Sequence, residues 1–215
     1  MINIREYCYD CNRAKESCVC AFIKPFYTNT KFIFLMHPKE YKKTKNNTGK
    51  ITHQSLLNSK IFVGIDFSHN KEINSIINDS QNACFILYPG SDSINLNKNT
   101  LDNKKQKVIF LIDSTWACSK KMLRVSKNLH SLKKISFDHD KSSQFKIKTQ
   151  PNKHCLSTIE STLCVIEELN KKDVENIEDK YLEEFLNPFS KMVDYQIDCI
   201  KSVHGNVRYK VPYKS

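Results

Sequence analysis

The chain has 215 residues, 40% hydrophobic, which is enough apolar material for one folded domain of ordinary size and excludes wholesale disorder. With only 4 Gly it contains neither a G-x-G-x-x-G dinucleotide loop nor a Walker phosphate loop. The formal net charge of +11 makes a polyanion, nucleic acid first, the expected partner; an AT-rich coding bias toward Lys, Asn and Ile is the competing source of that charge.

No uninterrupted apolar run approaches the ~20 residues of a membrane span. Arg5, Glu6 and Asp10 interrupt the apolar core a signal peptide requires, so a cytoplasmic location is expected. In that reducing setting the 9 Cys are thiols or metal ligands.

The first element is a cysteine cluster, Cys8-x2-Cys11-x6-Cys18-x-Cys20. Four thiolates this close can close tetrahedrally on one Zn2+, and four sulfur ligands leave no open position, so the metal is expected to be structural. An iron–sulfur cluster is the rival occupant. The division expected is a zinc module over residues 1–25 and a catalytic α/β domain over 26–215. Cys84, Cys118, Cys155, Cys164 and Cys199 read as small buried hydrophobes.

Phe32–Met36 reads as a strand ending at His37-Pro38-Lys39-Glu40. Tyr41–Lys50 reads as a basic loop, and Thr52–Lys60 as a short helix. Ile61–Ile65 is a second strand and Lys71–Asp79 a helix. Ala83–Leu87 is a third strand, stopped by Tyr88-Pro89-Gly90, with a polar loop to residue 106. Val108–Ile112 is the strongest strand, apolar on both faces as a covered parallel strand should be. It runs into Asp113-Ser114-Thr115-Trp116 and a helix over Thr115–Leu129. Lys133–Phe137 is a further strand, and 138–156 is mostly loop. Ser157 opens a helix whose capping box with Glu160 should form. The last helical region covers Asp179–Val203. Strands alternating with helices predict a largely parallel sheet with flanking helices.

In open α/β sheets ligands bind beyond the carboxyl ends of the strands. His37–Glu40, Tyr88–Gly90 and Asp113–Trp116 all stand at such ends, and Lys148-Thr149-Gln150-Pro151 leads to Leu156–Glu160. Taken singly each has a bland reading: a Pro-Gly turn, a helix cap, a core tryptophan. Lys120, Arg124 and Lys127, with Lys121 beside them, form one basic helix face suited to a phosphate backbone or simply to solvent.

Together these residues resemble the DTW-domain proteins, the tRNA-uridine aminocarboxypropyltransferases. Asp113-Ser114-Thr115-Trp116 matches the family's Asp-x-Thr-Trp, and Cys8, Cys11, Cys18 and Cys20 match its cysteine pattern. His37–Glu40, Leu87–Gly90, Phe145–Pro151 and Leu156–Glu160 match further motifs in the same order. Lys146 and Lys148 stand where the family often has Arg, keeping the charge but losing the planar fork.

The resemblance implies a SPOUT-like knotted fold and S-adenosylmethionine as donor of its 3-amino-3-carboxypropyl group to N3 of a tRNA uridine. On that basis Leu87, Tyr88, Pro89, Gly90, Ile112, Trp116, Gln150, Leu156, Ser157 and Thr158 are expected around the donor. Asp113, Thr115 and Trp116 are expected at the chemistry, with Asp113 as general base or base-orienting group. Lys42, Lys43, Lys120, Lys121, Arg124, Lys146 and Lys148 are expected on tRNA phosphates. Nothing in the sequence points to an obligate protein partner. The residues alone leave open a SPOUT-like methyltransferase using the same donor, and a non-catalytic zinc-ribbon RNA-binding protein.

Overall fold

A computed structural model describes residues 6–101, 104–148 and 155–202. Among these described residues six strands form one sheet, every neighbouring pair parallel: β1 (Lys31–Met36), β2 (Ser59–Val63), β3 (Asn82–Leu87), β4 (Ile94–Asn95), β5 (Gln106–Asp113) and β6 (Lys133–Ser136). The order across the sheet is β2-β1-β5-β3-β6-β4. The helices are α1 (Pro38–Lys43), α2 (Thr48–Ser55), α3 (Lys71–Asn78), α4 (Trp116–Val125), α5 (Thr158–Asn170), α6 (Asp179–Glu184) and α7 (Asn187–Lys201).

Alternation along the central strands explains the layering. Phe32, Phe34, Ile109 and Leu111 point to one face, where they pack with Ile51 of α2, Ile159 and Ile166 of α5, and Phe189 of α7. Ile33, Leu35, Val108 and Phe110 point to the other, against Ile73 of α3 and Met122 of α4. Both faces of β1 and β5 are therefore buried, and each carries an unbroken apolar run, Phe32–Met36 and Val108–Ile112. No helix among the described residues is long and apolar enough to cross a membrane.

Several boundaries differ from the sequence reading for local reasons. The expected loop over Tyr41–Lys50 holds the end of α1 and the start of α2, because His37 and Asn47 each cap a helix with the side chain. The short helix therefore ends at Ser55, and residues 59 and 60 belong to β2. The helix after Asp113 stops at Val125, where the Ser126 hydroxyl is drawn to the Phe67 amide, and a 3-10 turn follows. The last helical region divides at Phe185–Leu186. Of the five scattered cysteines, only Cys155 and Cys164 are fully buried.

The cysteine segment is short turns held by the body of the chain. Cys8 N–H donates to the Arg13 carbonyl at 2.7 Å, closing a knuckle that Asn12 completes with φ 55°. Asn tolerates that left-handed conformation better than most residues. Val19 joins the core beside α5 and α7.

Candidate active site

β5 delivers Asp113 to the carboxyl edge of the sheet, in register with Met36 at the end of β1. His37 N–H donates to the Asp113 carbonyl at 3.1 Å, and the His37 ring caps α1 by accepting from Lys39 N–H at 3.1 Å. The Asp113 side chain is 6% exposed, and both of its oxygens are engaged. Oδ2 accepts from the Asn47 amide at 2.7 Å, and Oδ1 from the Thr158 hydroxyl at 2.8 Å. Asn47 also caps α2 by accepting from Lys50 N–H at 2.8 Å. One carboxylate thus ties the end of β5 to the first turns of α2 and α5.

Burial pushes the Asp113 carboxyl above the usual carboxylate range, opposed by the hydrogen bonds from Asn47 and Thr158. Glu40 pushes in the same direction as burial, and Lys148 opposes it. Glu160 is a second buried organiser. Its carboxylate accepts from Ser157 N–H at 2.8 Å, from the Ser143 hydroxyl at 2.8 Å and from Gln144 N–H at 2.7 Å. The capping box of Ser157 and Glu160 is present, as its spacing predicts.

A cavity of about 290 Å³ opens beside this framework, beyond the ends of β3, β5 and β6. Of the residues expected around a donor, Leu87, Tyr88, Pro89, Ile112, Trp116, Leu156 and Thr158 line it. Gly90 is exposed and Ser157 is buried in its cap; neither lines the cavity. Gln150 lies outside the described residues. Thr115 is exposed at the N-cap of α4 and makes no side-chain cap bond, while Trp116 stands at the cavity 40% exposed.

The sequence reading missed Asn47 and Gly49, which meet Asp113, and Ser136, Phe137, His139 and Ser161, which line the cavity. Residues 136 and 137 follow the end of β6, so the strand-end rule applied to that strand finds them. Ser161 lies one turn beyond Thr158 on α5.

A second cavity, about 340 Å³ and more polar, lies at the opposite edge, among the strand starts Lys31, Asn82 and Gln106. It contains none of the strand-end motifs, and the carboxyl edge is where open α/β sheets bind ligands.

The side chains of Lys120, Lys121 and Arg124 are exposed on α4, which begins at Trp116. Lys42, Lys43, Lys146 and Lys148 are exposed as well, and Lys148 lies 5.7 Å from the Phe145 ring centroid.

The four clustered thiols lie within 4.8 Å of one another. Tetrahedral coordination with Zn–S distances of about 2.3 Å requires sulfur–sulfur edges of about 3.8 Å. Cys8 and Cys20 stand 3.8 Å apart, and so do Cys11 and Cys18. The donor set and its spacing therefore fit one zinc ion. Backbone N–H groups of Cys11 and then Asp10 lower the Cys8 thiol to about 7.

A family model described as the DTW domain matches residues 5–197. The tRNA-uridine aminocarboxypropyltransferase 2 of Macaca fascicularis is 26% identical over 200 residues, covering 90% of this chain and 64% of that protein. The protein of the same name from Mus musculus is 25% identical over 198 residues, with the same coverage. That from Drosophila melanogaster is 26% identical over 204 residues, covering 91% of this chain and 77% of its own length. The chain thus spans less than two thirds of the first two relatives. No solved structure matches this chain.

Proposed function

This chain belongs to the DTW-domain family, and we propose that it transfers the 3-amino-3-carboxypropyl group of S-adenosylmethionine to N3 of a uridine in tRNA. The observation that carries this reading is the cavity at the ends of β3, β5 and β6, walled by the family's own motif residues Pro89, Trp116 and Thr158. The names of the similar proteins supply the reaction class.

The cavity suits the donor's chemistry. Leu87, Ile112 and Leu156 offer apolar wall for an adenosine, and the Trp116 ring offers a face for stacking. The donor, when bound, supplies an electrophilic carbon next to a sulfonium. As uridine N3 bonds to that carbon, the carbon–sulfur bond breaks, the sulfur becomes a neutral thioether, and N3 gives up its proton. The protein's part is to select one of three carbons on sulfur, which is a matter of pose.

Asp113 serves that pose by orientation. With both oxygens held inside the protein, it fixes Thr158 at the cavity wall and the α2 start behind it. We assign it the base-orienting role, with proton removal left to another acceptor. Lys120, Lys121 and Arg124 on α4, with Lys42, Lys43, Lys146 and Lys148, supply positive charge for tRNA phosphates. The four-cysteine centre holds a structural zinc. We further propose a SPOUT-like knot; the parallel sheet and the convergence of the segment entering α5 on the ends of β3 and β5 support it.

The test is incubation with unmodified tRNA and S-adenosylmethionine, followed by nucleoside mass spectrometry. Aminocarboxypropyl-uridine is expected. A methylated nucleoside would replace this reading with a methyltransferase, and an unchanged one with a non-catalytic RNA binder.

A further inference from the structure

Arg13 is buried to a degree that its neighbours do not explain. It is 7% exposed, and among the described residues no carboxylate pairs with it. Its Nε–H donates to the Lys45 carbonyl at 3.1 Å, Nη2 faces the Met192 sulfur at 3.7 Å, and Nη1 is buried with no hydrogen-bond partner among the described residues. A guanidinium cannot shed its proton in a protein, so a buried one requires a counter-charge. Arg13 stands at the cysteine cluster, where its backbone carbonyl accepts from Cys8 N–H at 2.7 Å, and the thiols of Cys11, Cys20 and Cys18 act on its charge.

Four thiolates around a divalent ion leave the centre with two negative charges in excess. A neighbouring cation offsets that excess, and groups just outside a metal's ligands commonly tune its retention. The other end of the guanidinium leads elsewhere. Lys45 stands two residues before Asn47, whose side chain both caps α2 and donates to Asp113. Arg13 also acts electrostatically on Lys50, in the first turn of α2.

We propose that Arg13 is a positioning residue that joins the four-cysteine centre to the Asp113 site. Its charge balances the metal-loaded thiolates, and its Nε–H holds the 45–47 segment where Asn47 can reach Asp113. Loss of the metal then leaves Arg13 buried without its counter-charge and loosens the α2 cap. The oxygens of the candidate active site are in this way tied to a metal centre that does not touch the cavity.

Two variants separate this from simple packing. Arg13→Met keeps the alkyl volume and removes the charge; Arg13→Lys keeps the charge and loses the fork. Two measurements follow zinc release to a chromophoric chelator and hydrogen exchange at the Lys50 amide, which reports the Asn47 cap. In Arg13→Met, zinc release should accelerate by about tenfold or more, and Lys50 exchange should accelerate with it. In Arg13→Lys, zinc should be retained while Lys50 exchange stays fast, because one ammonium cannot serve both the thiolates and the Lys45 carbonyl. A folded Arg13→Met that keeps zinc at the parent rate overturns the proposal, as does unchanged Lys50 exchange or a parent chain that binds no metal. If Arg13→Met does not fold, Arg13→Lys decides: parent-like exchange at Lys50 refutes the link. Neither readout involves group transfer, so the proposed activity can fail without affecting this result.

Discussion

Gly49 and Asp113 are packed so closely that a Cβ on residue 49 would lie 2.4 Å from Asp113 Oδ2 and 2.8 Å from its carboxyl carbon. Glycine inside a helix ordinarily costs about 1 kcal/mol relative to alanine. Here the missing side chain is what admits the carboxylate between β5 and α2. Gly49→Ala should therefore destabilise the fold by about 1–3 kcal/mol through overpacking, despite its better helix propensity. Urea midpoints compare the two; a variant as stable as the parent would mean that the carboxylate has room to move.

Asp113 can be interrogated by two substitutions. In Asp113→Asn the amide can still accept from Asn47 and donate to the Thr158 oxygen, so most of the framework survives. In Asp113→Ala both partners lose their acceptor, at about 1–3 kcal/mol for each buried group left unsatisfied. An orienting Asp113 predicts that the Asn variant keeps turnover within about tenfold at saturating donor and tRNA, whereas a general base predicts a loss of about 10²–10⁴-fold. Steady-state rates for both variants distinguish the roles. Stability should follow pH as well. Burial raises the Asp113 carboxyl, so the folded chain holds that proton to higher pH than the unfolded chain. Its contribution is greatest at acid pH and is lost as pH rises from about 4 through the folded value. Asp113→Asn cannot titrate, so its stability deficit should narrow over that rise.

The order of β1, β2, β3, β5 and β6 was legible because β1 and β5 are buried on both faces and carry apolar runs, whereas α1 and the two-residue β4 lay in polar stretches that read as loop. The apolar wall of the cavity was legible through Leu87, Ile112, Trp116 and Leu156, which stand near strand or helix ends. Asn47 and Gly49 were hidden by their setting, a Lys- and Asn-rich stretch in which a cap and a close approach look like loop composition. The docking of Arg13 on Lys45 and Met192 joins segments 32 and 179 residues apart, and no local pattern encodes such a contact. Gly90 is exposed and does not line the cavity, although its neighbours Tyr88 and Pro89 do.

The four-cysteine cluster predicts a composition. The purified chain should carry one zinc, and Cys11→Ser should lose it together with thermal stability. Bound metal at a hundred times its dissociation constant stabilises a fold by about 2.7 kcal/mol. Atomic emission gives the stoichiometry and a melt with and without chelator gives the shift. Iron and sulfide in place of zinc, with visible absorbance, would identify a cluster instead.

Trp116 is the one tryptophan of the chain and stands at the cavity. Its fluorescence should therefore change as S-adenosylmethionine or uridine binds, without any label. Trp116→Ala should weaken the ligand it stacks on by about 1–3 kcal/mol, the usual range for a base on an aromatic face. Isothermal titration with each ligand separately shows which one that is. Unchanged affinity for both would return Trp116 to a surface role.

The basic face of α4 makes the last prediction. Lys120, Lys121 and Arg124 project from a helix whose first residue is Trp116, so an RNA placing a base at the cavity has phosphate within reach of them. Each phosphate contact releases counterions, and removing one should lower the slope of log affinity against log salt by about 1. The Lys120→Ala/Arg124→Ala double variant should thus bind tRNA more weakly at low salt, with a slope shallower by about 2. Donor affinity should stay unchanged, because neither side chain lines the cavity. Filter binding across a salt series measures the slope. A parent-like slope would assign the stripe to solvent and move the search for the RNA surface to Lys42, Lys43, Lys146 and Lys148.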